Sequence, residues 1–467
     1  MVAGAASARP HPVVVLGAGC AGLMAGLTAS RRGLPVLVLE KEAQPGGLAV
    51  GVTVDGTYYD KGPHIFHSRD QRLVDEIRSL VGNELREIQR TISIKYFGRY
   101  FRFPLALGEV LGQLPRATVL RAGMSFLWHR TLGSLPRPPV ETTETVLVRS
   151  YGRTLYRIFF EEYIRNVWGI PAGAFSPQFA TTRIPRMSVL ELLSRFAPGR
   201  GSTRAAVDTS QFVEKVEGTL YSTPRGFAPI AERMLEAIEA LGGKVELGAE
   251  ATRVRMQGGR AVEVEYRTRE GSLTSPCHGL VNTLPLRVVT PLLDPQPSER
   301  IRQAAEGLGY RAMVFVGLVV RRSPVLPSAL LYIRDQPFNR VSDLGQLGFP
   351  APLAGGSAVV AEITCDPSDT IWRDQELAKK TVLEGLAANG LLSPDEVAEA
   401  HVYRAEHAYP IYRLGFEDKL EAILDFFGRS SNMETTGRQG CFAYVNMHIA
   451  MTMGAEAVQR LLDKLAG

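Results

Sequence analysis

Apolar and polar positions alternate along this chain in two distinct rhythms. Residues Pro12 to Leu16 form a short apolar run, and apolar positions then recur at helical spacing to about Arg32. A second apolar run, Pro35 to Leu39, ends in Glu40. This predicts a strand, a helix and a second, parallel strand, a βαβ unit. Val52 to Tyr59 alternates like a hairpin. Residues 85–220 read mostly as helices with basic and Pro-rich interruptions, Leu135 to Val140 being the most Pro-rich. Residues 221–305 then resume the first rhythm: an amphipathic helix follows Thr223 to Ile230, and strand-like stretches cover Gly243 to Val254 and Gly279 to Pro285. Met313 to Val320, Ala329 to Arg334 and Ser357 to Thr364 read as strands, residues 373–430 as helix, and Gly437 to Leu462 as a glycine-rich loop entering a helix.

At 467 residues and roughly 150 residues per domain, two or three domains are expected. The pattern divides them into a discontinuous nucleotide-binding domain (10–85, 221–305 and 430–467), a mainly helical region (86–220), and an antiparallel sheet with helices (306–429). A hydrophobic fraction of 45% with 22% charged residues excludes a wholly disordered chain. The longest apolar stretches, such as Val314 to Val320, fall far short of the roughly 18 residues of a membrane-spanning helix. Lys95 to Arg102 and Leu105 to Trp128 interleave basic and apolar groups, a pattern shared by interdomain helical faces and by surfaces that lie on a membrane.

The net charge of +5 comes from 53 basic against 48 acidic residues spread along the chain. No dense basic run marks a nucleic-acid site, and the excess suits a small polyanion at least as well. Cys20, Cys277, Cys365 and Cys441 lie far apart without a CxxC pair. That suggests a reduced cytoplasmic protein with no zinc site. Val13 to Ala29 could pass for the apolar core of a secretion signal, but residues 1–10 lack the basic start, and its glycines have a better explanation.

Those glycines are Gly17-Ala-Gly19-Cys-Ala-Gly22, placed where a strand turns into a helix. Gly17 permits the tight turn, Gly19 lets the backbone approach a pyrophosphate at the positive helix N-terminus, and Gly22 lets helix pack on strand. Glu40, ending the next strand, is positioned to accept hydrogen bonds from a ribose hydroxyl. Gly46-Gly47 and Gly62-Pro-His-Ile-Phe-His67 follow. Fingerprint, acid, paired glycines and hairpin in this order resemble FAD proteins of the glutathione-reductase-like class, which include amine oxidases, protoporphyrinogen oxidases and phytoene desaturases. The resemblance implies FAD as cofactor in a Rossmann-like α/β domain, interrupted by a mixed antiparallel-sheet and helical substrate domain. It also implies an adenine contact near Val245 or Val254. No second intact fingerprint is present, so no dedicated NAD(P)H domain is expected.

Within that class the chain is similar to UDP-galactopyranose mutases. Gly62-Pro-His-Ile-Phe-His67 matches their GAHIFH; Tyr163-Ile-Arg-Asn-Val-Trp168-Gly169 and Arg183-Ile-Pro185 match a helix segment and an RIP sequence. Gly437-Arg438, Tyr444, Asn446, Met447 and His448 match their C-terminal motif, and Pro337-Phe-Asn-Arg340 and Ala408-Tyr409-Pro410 are weaker likenesses. Carried over, the resemblance implies that Arg183 and Arg340 hold a substrate diphosphate, that Tyr163, Tyr409 and Tyr444 donate hydrogen bonds to it, and that Trp168 stacks on the nucleobase. Arg438 would neutralise the FAD pyrophosphate. Asn446, Met447 and His448 would meet the flavin pyrimidine and His64 the isoalloxazine ring, with flavin N5 as nucleophile. Arginine suits a phosphate because its planar fork binds two oxygens at once.

Each assignment has a plainer counterpart. Arg183 and Arg340 fit surface positions, Trp168 a core aromatic, Tyr409 and Tyr444 packing residues, and His64, His67 and His448 hydrogen-bonded structural histidines. Asn446 stands where the mutases have Asp, Pro63 where they have Ala, and residues 341–357 depart from them. The implied function is interconversion of pyranose and furanose forms of a nucleotide-diphosphate sugar. The alternative is a net oxidoreductase, amine-oxidase-like or desaturase-like, acting on a sugar, amine or other small molecule. A catalytically idle flavin-binding interaction protein is a third class.

Overall fold

The computed structural model describes residues 11–96, 98–102, 112, 114–131, 140–183 and 219–466. Residues 103–111 of the basic and apolar stretch, the proline-rich 135–139 and the Ile184-Pro185 half of the RIP sequence lie outside the described residues.

Val13–Leu16 and Val36–Glu40 are buried throughout, as expected of parallel strands covered on both faces. Between them runs the helix Cys20–Arg31. The two strands pair in parallel, Val15 opposite Val38, and join a five-stranded sheet. Its order is Lys244–Leu247, Val36–Glu40, Val13–Leu16, Gly279–Asn282, Met433–Thr435, all parallel. These strands come from three separated stretches of chain, so the sheet is assembled across the interruptions.

One face of this sheet is covered by three helices. Cys20–Arg31 lies between Ala228–Ala240 and Met447–Ala466. A Cβ on Gly454 would come within 2.1 Å of the Ala21 carbonyl oxygen, so the two backbones touch.

The second large sheet has seven strands in the order Val397–Ile411, Gly309–Val320, Ser357–Cys365, Arg340–Asp343, Leu330–Ile333, Ile92–Tyr96, Arg99–Arg102. Two differences from the sequence expectation stand out. Residues 92–102 are strands, not helix, and attach through a parallel pairing of Leu330–Ile333 with Ile92–Tyr96. Residues 397–411, expected as helix, form a 15-residue strand. Its Ala and Glu content favours helix locally, but pairing along almost the whole of Gly309–Val320 overrides that preference.

Candidate functional site

A cavity of about 490 Å³ opens where the loops leave the carboxyl ends of the parallel strands. Gly17, Glu40, Thr283 and Gly437, each at or just past the end of a different strand, line it. Open α/β sheets place ligands there because the helix N-termini and loop amides converge at that edge.

The glycine loop is built as its spacing predicts. Gly17 has φ +96, its N–H donates to Leu39 O at 2.8 Å, and a Cβ there would lie 2.6 Å from Thr283 Oγ1. A Cβ on Gly22 would sit 1.9 Å from the Gly17 carbonyl oxygen. A Cβ on Gly19 would meet nothing within 4 Å; this glycine faces the cavity. Gly46 folds back on the loop, its N–H donating to Ala18 O at 2.7 Å, and with Gly47 it closes the rim.

Glu40 accepts from the Ala18 N–H at 2.8 Å through Oε2 and from the Glu42 N–H at 3.0 Å through Oε1. Burial pushes its carboxyl above the ordinary range, opposed by those two donors. A carboxylate offers about four lone-pair positions, so capacity remains for ribose hydroxyls. At the start of the first helix, burial pushes the Cys20 thiol up to about 12, with Arg438 opposing.

Arg438 holds a buried donor that the protein leaves unpartnered. Its Nη2 donates to Ala408 O at 2.8 Å, and its guanidinium lies 5.0 Å from the Tyr409 ring centre and 4.5 Å from that of Tyr444. Its buried Nε has no protein partner. A buried cationic N–H without an acceptor is costly, and the cavity it lines is where a pyrophosphate would bring one. The open face of Gly19 and the waiting Arg438 donor therefore fit FAD.

His64, Asn446, Met447 and His448 also line the cavity. The 20-residue helix Met447–Ala466 begins there, so its positive end faces this part of the cavity. His64 Nδ1 lies 2.9 Å from Asp60 Oδ1, and the His64 N–H donates to Asp60 Oδ2 at 3.0 Å. Asp60 is fully buried. His67 and His448 face each other at 4.7 Å, and Asn446 Nδ2 lies 3.5 Å from His67 Nε2.

Of the residues assigned to a diphosphate, Arg340, Tyr409 and Tyr444 line the cavity. Arg340 Nε donates to Glu362 Oε1 at 2.6 Å, Nη2 to Oε2 at 2.8 Å, and Nη1 to Tyr332 Oη at 3.2 Å. Burial depresses its pKa, but Glu362, Tyr332 and Tyr409 outweigh that and hold it well above the ordinary value. Arg340 lines the cavity, but as half of a bidentate ion pair. Arg183 ends the helix Pro177–Arg183, and its side chain lies outside the described residues. Trp168 is buried edge-on to Phe175 and Phe179 and packed against Tyr409 and Tyr444. It belongs to the core, away from the cavity lining. Val245, in register with Val38, is likewise inside the packed layer between sheet and helices, and Val254 is in the core; neither faces the cavity.

Tyr409 and Tyr444 stack at 5.1 Å and form one wall; burial raises the Tyr409 hydroxyl well above its ordinary value. Tyr163, half-buried, is raised by burial too, and Tyr332, Tyr444 and Arg340 are near enough to act on it.

Sequence reasoning missed Asp60, Glu362, Tyr332, Lys61 and Arg404. Glu362 had a usable signal: it is the one acid within the apolar run Ser357–Cys365, and a buried charge there needs a partner. Asp60 follows a hairpin and reads like any turn acid.

A family model described as flavin containing amine oxidoreductase matches residues 20–386. The hydroxyneurosporene desaturase of Rubrivivax gelatinosus is 27% identical over 277 residues, 55% of this chain and 50% of that protein. The hydroxyneurosporene desaturase of Rhodobacter capsulatus is 24% identical over 290 residues, 57% and 54% of the two. The chain thus spans about half the length of these curated relatives. The crystal structure of a reduced UDP-galactopyranose mutase superposes with a TM-score of 0.80 at 19% identity, covering 98% of each chain. That likeness is one of fold.

Proposed function

The chain belongs to the flavin-containing amine oxidoreductase family and is an FAD enzyme, and from that premise we propose that it catalyses net oxidation of an apolar substrate, in the manner of a desaturase. The observation that carries this reading is the buried pair of Arg340 with Glu362. A sugar mutase of the kind the sequence resembles would need Arg340 to grip a diphosphate. Here Glu362 already occupies the Nε–Nη2 edge of the guanidinium and Tyr332 takes a donor from Nη1, and displacing the carboxylate would leave a buried charge unpaired. Trp168, the other half of the nucleotide site, is enclosed by aromatic neighbours. The curated relatives named above are desaturases, and the stacked Tyr409 and Tyr444 give the cavity an aromatic wall.

Bound FAD supplies the two-electron acceptor that makes loss of two hydrogens from a carbon–carbon bond a net oxidation. The chain's own part is to hold and orient. Gly17, Gly19 and Gly22 shape the pyrophosphate turn, Gly46 and Gly47 close it, Glu40 takes the ribose, and Arg438 balances the phosphate charge. Asn446, Met447 and His448 present the N-terminus of the last helix to the flavin, with an uncharged amide at the position where mutases carry a carboxylate. His64 receives the substrate proton at Nε2, since Nδ1 is held by Asp60. The test is to supply holoenzyme with a quinone acceptor and with polyene hydrocarbons in detergent. The expected product is lighter by two hydrogens, and UDP and TDP should not raise the melting temperature. A clear shift with UDP and no oxidised product would reverse the assignment.

A further inference from the structure

The helix Arg116–Thr131 breaks the rule that a surface helix turns polar side chains outward. Its inner face is apolar: Ala122 and Phe126 are buried, and the backbone at Ser125 and Phe126 comes so close to Gly152 of Thr143–Tyr156 that a Cβ there would clash at 2.7 Å. Its outer face is apolar as well. Leu120 is 66% exposed, Met124 57%, Leu127 55% and Trp128 57%. These stand at i, i+4, i+7 and i+8, one stripe about 12 Å long at 1.5 Å per residue. Four large apolar side chains side by side in water are costly unless something covers them.

The charge around the stripe says what covers it. The helix has no acidic residue, and Arg116 and Arg121 are exposed on it. From Thr91 to Val140 the sequence carries seven Lys or Arg against one acid, Glu109, although the whole chain is nearly balanced. An apolar stripe bordered by cations, on a helix that carries no acid, suits an anionic bilayer: apolar side chains enter the acyl boundary while arginines meet the headgroups. We infer that Arg116–Thr131 is a membrane-docking helix that lays the enzyme on an anionic lipid surface. This stands apart from the proposed oxidation, since it rests on the outer face of one helix and not on the cavity.

The test uses FAD-loaded protein floated with vesicles of phosphatidylglycerol and phosphatidylcholine in equal parts, and with phosphatidylcholine alone. Binding is expected to the anionic vesicles and to weaken as salt is raised. Tryptophan emission should shift to the blue, because Trp128 is exposed while Trp168 is buried and Trp372 half-buried. Trp128→Phe should lose the shift yet still float. Leu120→Glu with Leu127→Glu should cut vesicle binding at least about tenfold, with flavin content and melting temperature unchanged because both positions are exposed. The inference is overturned if the wild type stays unbound to anionic vesicles, or if the double variant binds as well as the wild type. It is equally overturned if the wild type elutes as a dimer that the double variant dissolves, since a second copy would then be the cover.

Discussion

At the level of single residues, the site depends on a few atoms whose surroundings allow one arrangement. Replacing Glu362 with Gln removes the carboxylate that Arg340 grips with two donors. The stranded buried guanidinium should cost about 3–5 kcal/mol, read as a fall in the denaturant midpoint, and Arg340→Met with Glu362→Leu should recover part of it. Gly19 and Gly22 separate cofactor binding from folding. Gly19→Ala adds a methyl where nothing lies within 4 Å, so the melting temperature of the apoprotein should hold while FAD affinity falls. Gly22→Ala drives a methyl into the Gly17 carbonyl and should lower both. The positions of the glycines and Glu40 were legible in the sequence because turn and acid each have a fixed place in a βαβ unit, whereas Arg438 was reached only through the resemblance of the C-terminal motif. The pairings of Asp60 with His64 and Glu362 with Arg340 were not, since only the folded strands bring those partners together. Trp168 stayed open for a related reason: a tryptophan on an apolar helix face suits a core and a stacking platform equally, and the fold packs this one in a core cluster.

Among the elements, Cys20–Arg31 and Met447–Ala466 pack backbone against backbone. Gly454→Ala would press a methyl against the Ala21 carbonyl, a backbone contact that cannot swing aside, and should cost roughly 1–3 kcal/mol, seen as a lower melting temperature with reduced flavin content. The strand Val397–Ile411 carries His407, whose pKa is lowered by burial and by Arg287 and Lys41, against Glu406. A histidine that prefers to be neutral when folded stabilises the protein above its ordinary value of 6.5. That contribution is lost as pH falls below this value, because the unfolded chain then binds the proton more readily. His407→Asn should flatten the decline of melting temperature between neutral and mildly acidic pH. This strand also marks where sequence pattern fails: Ala-rich local preference pointed to helix, and only its partner Gly309–Val320 decides otherwise. The central strands of the parallel sheet, apolar up to the polar residues Glu40 and Asn282 that end two of them, needed no such partner to be recognised.

Across the whole molecule, two sheets drawn from interleaved stretches of chain meet around one cavity, with the glycine loop on one side and strands of the seven-stranded sheet on the other. Sequence order revealed four strands of the first sheet, because residues 221–305 resumed the rhythm of the opening stretch, and left out the edge strand Met433–Thr435. It concealed that Ile92–Tyr96 and Arg99–Arg102 complete the second. On this architecture the account rests on net oxidation within the cavity. The most direct measurement is anaerobic mixing of oxidised holoenzyme with polyene hydrocarbons, following the visible flavin band. The account predicts that the band bleaches with one substrate molecule oxidised per flavin. A band that stays oxidised with every polyene, together with ring-size conversion of a nucleotide sugar by the dithionite-reduced enzyme, would contradict it.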